Sequence, residues 1–180
     1  GAGDVIRIWV AGCATGEEAY TLAMVMREIQ RSRDFAPKFL IFATDIEESS
    51  LEHAKSGVYT PLALADLPPE MRERYFSLED GNWIANKDLR QYSVFSRHNL
   101  LEDAPFSRLN LVSCRNVLIY FKQQPQQRVM ELFHYALEEG GLMMMGKSES
   151  VDPQDELFEP VNKKAHLFRR KIGPRPARVP

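Results

Sequence analysis

The sequence is poor in the features that mark several large classes of protein. It has two cysteines, Cys13 and Cys114. Two cannot build a disulfide-dense scaffold, and their spacing matches no zinc site, so a reducing, cytoplasmic compartment is expected. No apolar run approaches the ~18 residues of a membrane-spanning helix, and the N-terminus does not read as a secretory leader. Neither sign of charge dominates: 23 Lys and Arg stand against 25 Asp and Glu, a net of −2. That excludes a strongly basic nucleic-acid binder as the default. No internal repeat is visible. There is no three-glycine dinucleotide loop, no Gly-Lys-Ser/Thr phosphate loop and no nucleophile elbow. The four histidines, His53, His98, His134 and His166, include no pair at the helical metal-site spacing. His53 and His134 are expected on helix surfaces, and no metal is expected.

What is present is an ordinary globular composition, with 44% apolar and 27% charged residues over 180 positions, enough for one domain with a small insertion. Val5–Val10 reads as a buried strand. Glu17–Arg31 has helical periodicity with two glutamates in its first turn. Phe39–Ala43 is a second strand and Glu47–Ser56 a second helix. This alternation points to an α/β fold with a mostly parallel sheet and right-handed crossovers. Gly57–Ser96 breaks the rhythm. It is read as a small inserted β-subdomain with a short helix at Pro69–Tyr75. A hairpin is placed there from Trp83–Ile84 to Leu89–Phe95, turning near Asn86–Lys87–Asp88. The rhythm resumes with a strand at Leu109–Cys114, a helix at Gln123–Glu138 and a strand at Gly141–Gly146. Met143–Met144–Met145 is read as core. Leu157–Val161 and Ala165–Arg170 read as a closing antiparallel pair. Residues 173–180, rich in proline and arginine, read as a tail or linker.

Three places carry candidate chemistry. The loop Ala11–Gly16, bracketed by Gly12 and Gly16, joins a strand to a helix N-terminus, a ready site for a polar ligand. Glu17 and Glu18 stand where a phosphate would sit; they repel a pyrophosphate and suit a cationic or amino-bearing ligand such as S-adenosylmethionine. An ordinary tight turn accounts for the same residues equally well. Asp45, at the end of the second strand, is placed to accept ribose hydroxyls or to cap the next helix. At the end of a later strand stands Cys114–Arg115–Asn116–Val117–Leu118–Ile119–Tyr120–Phe121. There Arg115, Asn116 and Tyr120 can reach a substrate beyond the sheet. A surface ion pair for Arg115 and a core position for Tyr120 are the competing readings.

Seven strings, in order along nearly the whole chain, resemble the catalytic domain of the chemotaxis receptor methyltransferases, the CheR family. They are Trp9–Tyr20 (WVAGCATGEEAY), Phe42–Ile46 (FATDI), Ser56–Tyr59 (SGVY), Arg74–Phe76 (RYF), His98–Leu101 (HNLL), Leu111–Phe121 (LVSCRNVLIYF) and Gly146–Ser150 (GKSES). The resemblance implies a Rossmann-like class I S-adenosylmethionine-dependent methyltransferase, with a catalytic domain at 1–172, the insertion at 57–96 and no helical N-terminal domain in this chain. It implies methylation of glutamate side chains of chemoreceptors to methyl esters, in chemotaxis or related signalling. A non-catalytic cofactor-binding or interaction module inside a hybrid sensor protein is the alternative. It further implies that Glu17 and Asp45 face the cofactor's amino-acid and ribose parts, and that Asn99 and Leu100 line an adenine pocket. Arg115 and Asn116 would border the methyl site, and Tyr120 would position the glutamate. The closest style is that of members fused in hybrid sensor proteins. The inserted hairpin is short, so no tether to a receptor's C-terminal pentapeptide is expected.

Overall fold

The computed structural model describes residues 4–34, 36–149, 151 and 155–173. Most of the tail read at 173–180 lies outside the described residues, as does Ser150 of the Gly146–Ser150 string. The chain falls into two compact units. One takes the segment ending at Val5 together with Cys13–Arg97, and the other takes Ile6–Gly12 together with the segment from His98 onward.

In the first unit, helix α1 (Glu17–Ser32) buries Ala19, Tyr20, Ala23 and Met24, one stripe of its surface. It packs on β2 (Lys38–Asp45), on β6 (Ser93–Arg97) and on the short helix α4 (Lys87–Arg90). β2 and β6 pair in parallel, with Ile41 opposite Ser93 and Asp45 opposite Arg97. Helix α2 (Glu48–Ser56) ends at Gly57, whose left-handed backbone lets its N–H bond back to the carbonyls of His53 and Ala54. Beside these lies a three-stranded antiparallel sheet of β3 (Val58–Tyr59), β5 (Asn82–Ala85) and β4 (Phe76–Glu79), in that order, with α3 (Pro69–Tyr75) leading into β4.

The hairpin expected between Trp83–Ile84 and Leu89–Phe95 does not form. Asn82–Ala85 pairs instead with Phe76–Glu79 across Asp80–Gly81. Both turn residues have positive φ, 48° and 80°, the conformation in which Asp-Gly closes a two-residue hairpin. Asn86–Lys87–Asp88, read as the turn, opens α4, and Ser93–Arg97 joins β2 instead of the antiparallel sheet.

In the second unit the strand order is β1 (Val5–Ala11), β7 (Leu109–Cys114), β8 (Leu137–Met145), β10 (Leu167–Arg170), β9 (Phe158–Asn162). β1, β7 and β8 run parallel, and β10 and β9 close the block antiparallel. Parallel pairing in both units gives the α/β, Rossmann-like architecture expected from the sequence. Helix α5 (Gln123–Ala136) gives way directly to β8 at Leu137, two residues before the expected helix end. Met143 and Met145 are buried as expected, whereas Met144, on the opposite face of the strand, is only half-buried. His134 is not on a helix surface. It is buried edge-on against Phe158, and Arg170 donates from Nε to its carbonyl at 2.8 Å. His53 is exposed, and its ring stacks on Tyr59.

Trp9 of β1 is the largest ring at the centre of this second core. It is fully buried, with His98, Phe106 and Phe133 edge-on at 5.1, 5.1 and 5.4 Å between ring centroids. Trp9→Ala is expected to lower stability by about 3–5 kcal/mol through lost contact and the cavity left behind. In urea unfolding this appears as a lower midpoint at an unchanged slope. A midpoint close to that of the wild type would show that Trp9 does not hold this core.

Candidate functional site

In the first unit the site is built around the loop that precedes α1. The loop is held at both ends by backbone: Cys13 N–H donates to the Thr44 carbonyl at 2.8 Å, and Gly16 N–H to the Cys13 carbonyl at 2.9 Å. The Asp45 carboxylate fixes its middle. One oxygen accepts from Ala14 N–H at 2.8 Å and the other from Glu47 N–H at 3.0 Å. The capping role read for Asp45 is not observed: α2 is capped at Glu47 with no side-chain bond, and the Asp45–Glu47 contact is a local turn bond before the helix, because the helix starts one residue later than expected. A carboxylate offers about four lone-pair sites, and two backbone bonds leave room for two hydroxyl donors. Asp45 is partly exposed, as a ligand contact requires.

Gly16 makes the turn into α1. Its φ is 94°, and a Cβ there would lie 2.8 Å from the Ala54 Cβ and 3.1 Å from the Tyr59 hydroxyl. That hydroxyl donates to the Thr15 carbonyl at 2.6 Å, and Tyr20 donates to the Ala54 carbonyl at 2.7 Å. The helix start is thus pinned by two tyrosines that the sequence reading did not single out. The SGVY string contains Tyr59, but its bond to a loop 44 residues earlier is non-local.

Glu17 and Glu18 occupy the first turn of α1, where the helix dipole favours carboxylates. The Thr15 hydroxyl bonds to the Glu17 carboxylate at 2.6 Å. Glu17 also lines a cavity of about 260 Å³ with Tyr20, Tyr59, Leu64 and Phe76; its other charged residue is Asp66. Acidic groups on an apolar wall suit an ammonium-bearing ligand and repel a phosphate. Burial, then the Asp45 carboxylate, pushes the Cys13 thiol up to about 12. It stays protonated and unreactive at neutral pH.

The second unit places Gly12 and the Arg115–Tyr120 segment at adjacent strand ends. Ala11 and Cys114 are register partners, so the residues that follow them leave the sheet side by side. A Cβ on Gly12 would run into the Val117 side chain. Arg115, Asn116 and Tyr120 are exposed, Tyr120 at 81%. Tyr120 closes a 3-10 turn, Leu118–Tyr120, so the core position considered for it is ruled out. Asn116 has φ 61°, a left-handed conformation that asparagine tolerates better than most residues. Asn99 and Leu100 are half-buried in the turn after His98. There Asn99 N–H donates to Asp103, and the Asn99 side chain accepts from Leu101 N–H.

One residue missed as a site element is Glu149, which is 4% exposed. Its carboxylate accepts from Asn116 N–H at 2.5 Å, Gly146 N–H at 3.0 Å and Leu118 N–H at 2.8 Å. The available signal was an acid in the small-residue string Gly146–Ser150. Among the described residues no group of histidine, cysteine, aspartate and glutamate is arranged to hold a metal, and no helix is long and apolar enough to cross a membrane.

Comparison with known proteins places this geometry in a family. Residues 1–167 match the family model described as CheR methyltransferase, SAM binding domain. The chain belongs to that family. It is 34% identical over 164 residues to chemotaxis protein methyltransferase 1 of Pseudomonas aeruginosa, covering 88% of this chain and 60% of that protein. It is 34% identical over 149 residues to the chemotaxis protein methyltransferase of Borreliella burgdorferi, covering 81% and 53%. It is 45% identical over 155 residues to an uncharacterized 104.1 kDa protein of Rhodobacter capsulatus, covering 86% of this chain and 16% of that one. The chain therefore spans little more than half of the two chemotaxis enzymes and a small part of the larger protein. Among solved structures, a protein from Nostoc punctiforme assigned as an O-methyltransferase superposes with a TM-score of 0.50 at 15% identity, over 78% of this chain and 32% of that one. That likeness supports the fold alone.

The raised Cys13 thiol gives a pH test. With a pKa of about 12 the thiolate fraction at pH 8 is about one in 10,000. Alkylation of Cys13 by iodoacetamide, followed by peptide mapping, should be about a thousandfold slower than for a free thiol. It should rise about tenfold per pH unit from 7 to 10. A plateau near pH 9 would contradict the buried, acid-flanked environment. In the unfolded chain the thiol ionises near its ordinary 9.0, below the folded value. The Cys13 contribution to stability is therefore complete below pH 9 and declines as pH rises above it.

Proposed function

We propose that this chain, a member of the CheR methyltransferase family, transfers a methyl group from S-adenosylmethionine to glutamate carboxylates of a chemoreceptor or related signalling protein. It acts as a cytoplasmic protein-glutamate O-methyltransferase. The observation that carries this reading is the family match over residues 1–167 together with the Asp45-latched loop and its flanking glutamates. The residues fit the cofactor's chemistry. Glu17 supplies a carboxylate for its ammonium, and Asp45 retains free lone pairs for its ribose hydroxyls. Gly12 and Gly16 let the backbone turn where no side chain fits. Asn99 and Leu100 are assigned to the adenine, and Arg115 and Asn116 to the border of the methyl site. When bound, the cofactor supplies a methyl group activated by its sulfonium.

The protein's own part is then mostly placement. The acceptor glutamate is ionised at pH 7, since its ordinary pKa is about 4.3, and no general base is needed. The Arg115 guanidinium attracts that carboxylate and fixes its plane. The Tyr120 phenol, exposed on its turn, donates a hydrogen bond to one carboxylate oxygen and leaves the other free to attack. Excluding water from these charged partners strengthens their alignment.

The two-residue turn of the β4–β5 hairpin supports the reading that receptors are met without a pentapeptide tether. The size of the Rhodobacter capsulatus relative, 104.1 kDa, supports a setting in which this domain is one part of a longer protein.

Calorimetric titration with S-adenosylmethionine should give micromolar binding, about −8 kcal/mol. The full-length protein with radiolabelled cofactor and receptor membranes should then place alkali-labile label on the receptor, as methyl esters require. Tyr120→Phe should lower kcat by about tenfold, the loss of one charged hydrogen bond, and leave the cofactor Kd unchanged. Micromolar binding by a folded protein that transfers no label to any receptor preparation would instead indicate a binding module without catalysis.

A further inference from the structure

We propose that Glu149 is a positioning residue, which holds the Arg115–Tyr120 segment in its working conformation by filling an anion pocket made of backbone N–H groups. This rests on the reading of Arg115, Asn116 and Tyr120 given above. Three N–H groups, of Asn116, Leu118 and Gly146, converge on one buried carboxylate at 2.5, 2.8 and 3.0 Å. Two of them belong to the segment that carries the three exposed candidate side chains.

Glu149 is itself held by the backbone. Its N–H donates to the Gly146 carbonyl at 3.1 Å, and its own carbonyl meets His166 Nδ1 at 3.2 Å. The approach is close: a Cβ on Gly146 would lie 2.8 Å from the Glu149 Oε1 and 2.7 Å from the Asn116 Oδ1. A buried carboxylate is expensive to desolvate, and an apolar side chain would pack a plain core better. The carboxylate earns its place by satisfying three amides that neither strand nor helix pairing reaches, while Asn116 stays left-handed at φ 61°.

The same geometry has a consequence for specificity. Convergent N–H groups bind carboxylates and other small anions. With Glu149 in place the nest is occupied by the chain's own carboxylate. An acceptor glutamate is thereby left to Arg115 and Tyr120 and is not captured beside them.

The test uses Glu149→Gln and Glu149→Ala in the full-length protein. The readouts are kcat and KM for receptor methylation, the Kd for S-adenosylhomocysteine by calorimetry, the Tm, and each of these again with added sodium formate. Formate is small enough to enter the vacated pocket and accept the three N–H groups. Glu149→Gln keeps one acceptor oxygen but turns an amide N–H towards a donor, so kcat should fall about tenfold. Glu149→Ala should lose about a hundredfold in kcat with receptor KM within twofold, and formate should recover severalfold of that loss in a saturable way. Formate should not stimulate the wild type.

A folded Glu149→Ala protein with wild-type kcat and Kd would overturn the proposal. So would a loss of activity that follows Tm alone and that formate does not recover. If the alanine variant does not fold, Glu149→Gln decides by the same criteria of kcat, KM and Tm. If the wild type transfers no methyl group, the failure lies with the proposed function. The Glu149 inference is then read from the S-adenosylhomocysteine Kd, which should weaken in Glu149→Ala and recover with formate because Arg115 and Asn116 are assigned to the cofactor's border.

Discussion

The constraint on which the rest depends is the fate of backbone N–H groups where parallel strands end. A strand that leaves its sheet stops donating to its neighbour, and the loop beyond it must turn sharply without a ladder. An unmet buried N–H costs about 1–3 kcal/mol, so each such loop needs an acceptor. In each of the two units a carboxylate meets the need at the loop that carries candidate side chains. Asp45 takes the N–H groups of Ala14 and Glu47, and Glu149 takes those of Asn116, Leu118 and Gly146. These are also the loops on which the candidate side chains stand. Shape at the strand ends and chemistry at the strand ends are therefore set by the same bonds.

That coupling explains the unusual backbone at these places. Ala14 and Asn116 both have positive φ without being glycine, at 48° and 61°, and both donate their N–H to a carboxylate. A left-handed residue is costly in isolation and persists where its surroundings over-determine it. Here each N–H is held by a charge-assisted bond, and at Asn116 the backbone is further confined by Gly146, where no side chain fits.

Much of this was legible in the sequence, and the misses have physical causes. α3 falls on its predicted bounds because Pro69 opens it and the pattern is local. The loop before α1, Asp45 and the Arg115–Tyr120 segment stood out because unusual residue types follow apolar strands. The hairpin was misplaced because the β-branched and aromatic residues near Val94 and Phe95 read as its second arm. Asp80–Gly81 is the stronger local turn signal, and it sets the observed hairpin. β6 pairs in parallel with β2, whose partner residues lie about fifty positions earlier, and no turn signal announces such pairing. Glu149 stands in one of the resemblance strings with no role visible there, because two of the three amides it accepts from lie 31 and 33 residues away. His134 carries a polar side chain on an amphipathic helix, and burial beside Phe158 depends on the closing strand pair.

These features bear on what kind of catalyst the proposed reaction needs. The acceptor brings its own nucleophile already ionised, so a perturbed base or a reactive thiol would add nothing. The one cysteine of the loop is held protonated by burial and by acidic neighbours. The acids of the site do other work: Asp45 and Glu149 shape backbone, and Glu17 and Glu18 set a negative potential at a helix start. When alignment carries most of the rate, a displacement of about 1 Å at the reacting group can cost about a hundredfold. The residues that fix loop backbone then matter as much as those that face the substrate. Under the proposed function, selection for activity would act on Asp45 and Glu149 through the loops they hold, and a search confined to exposed side chains would overlook one of the two.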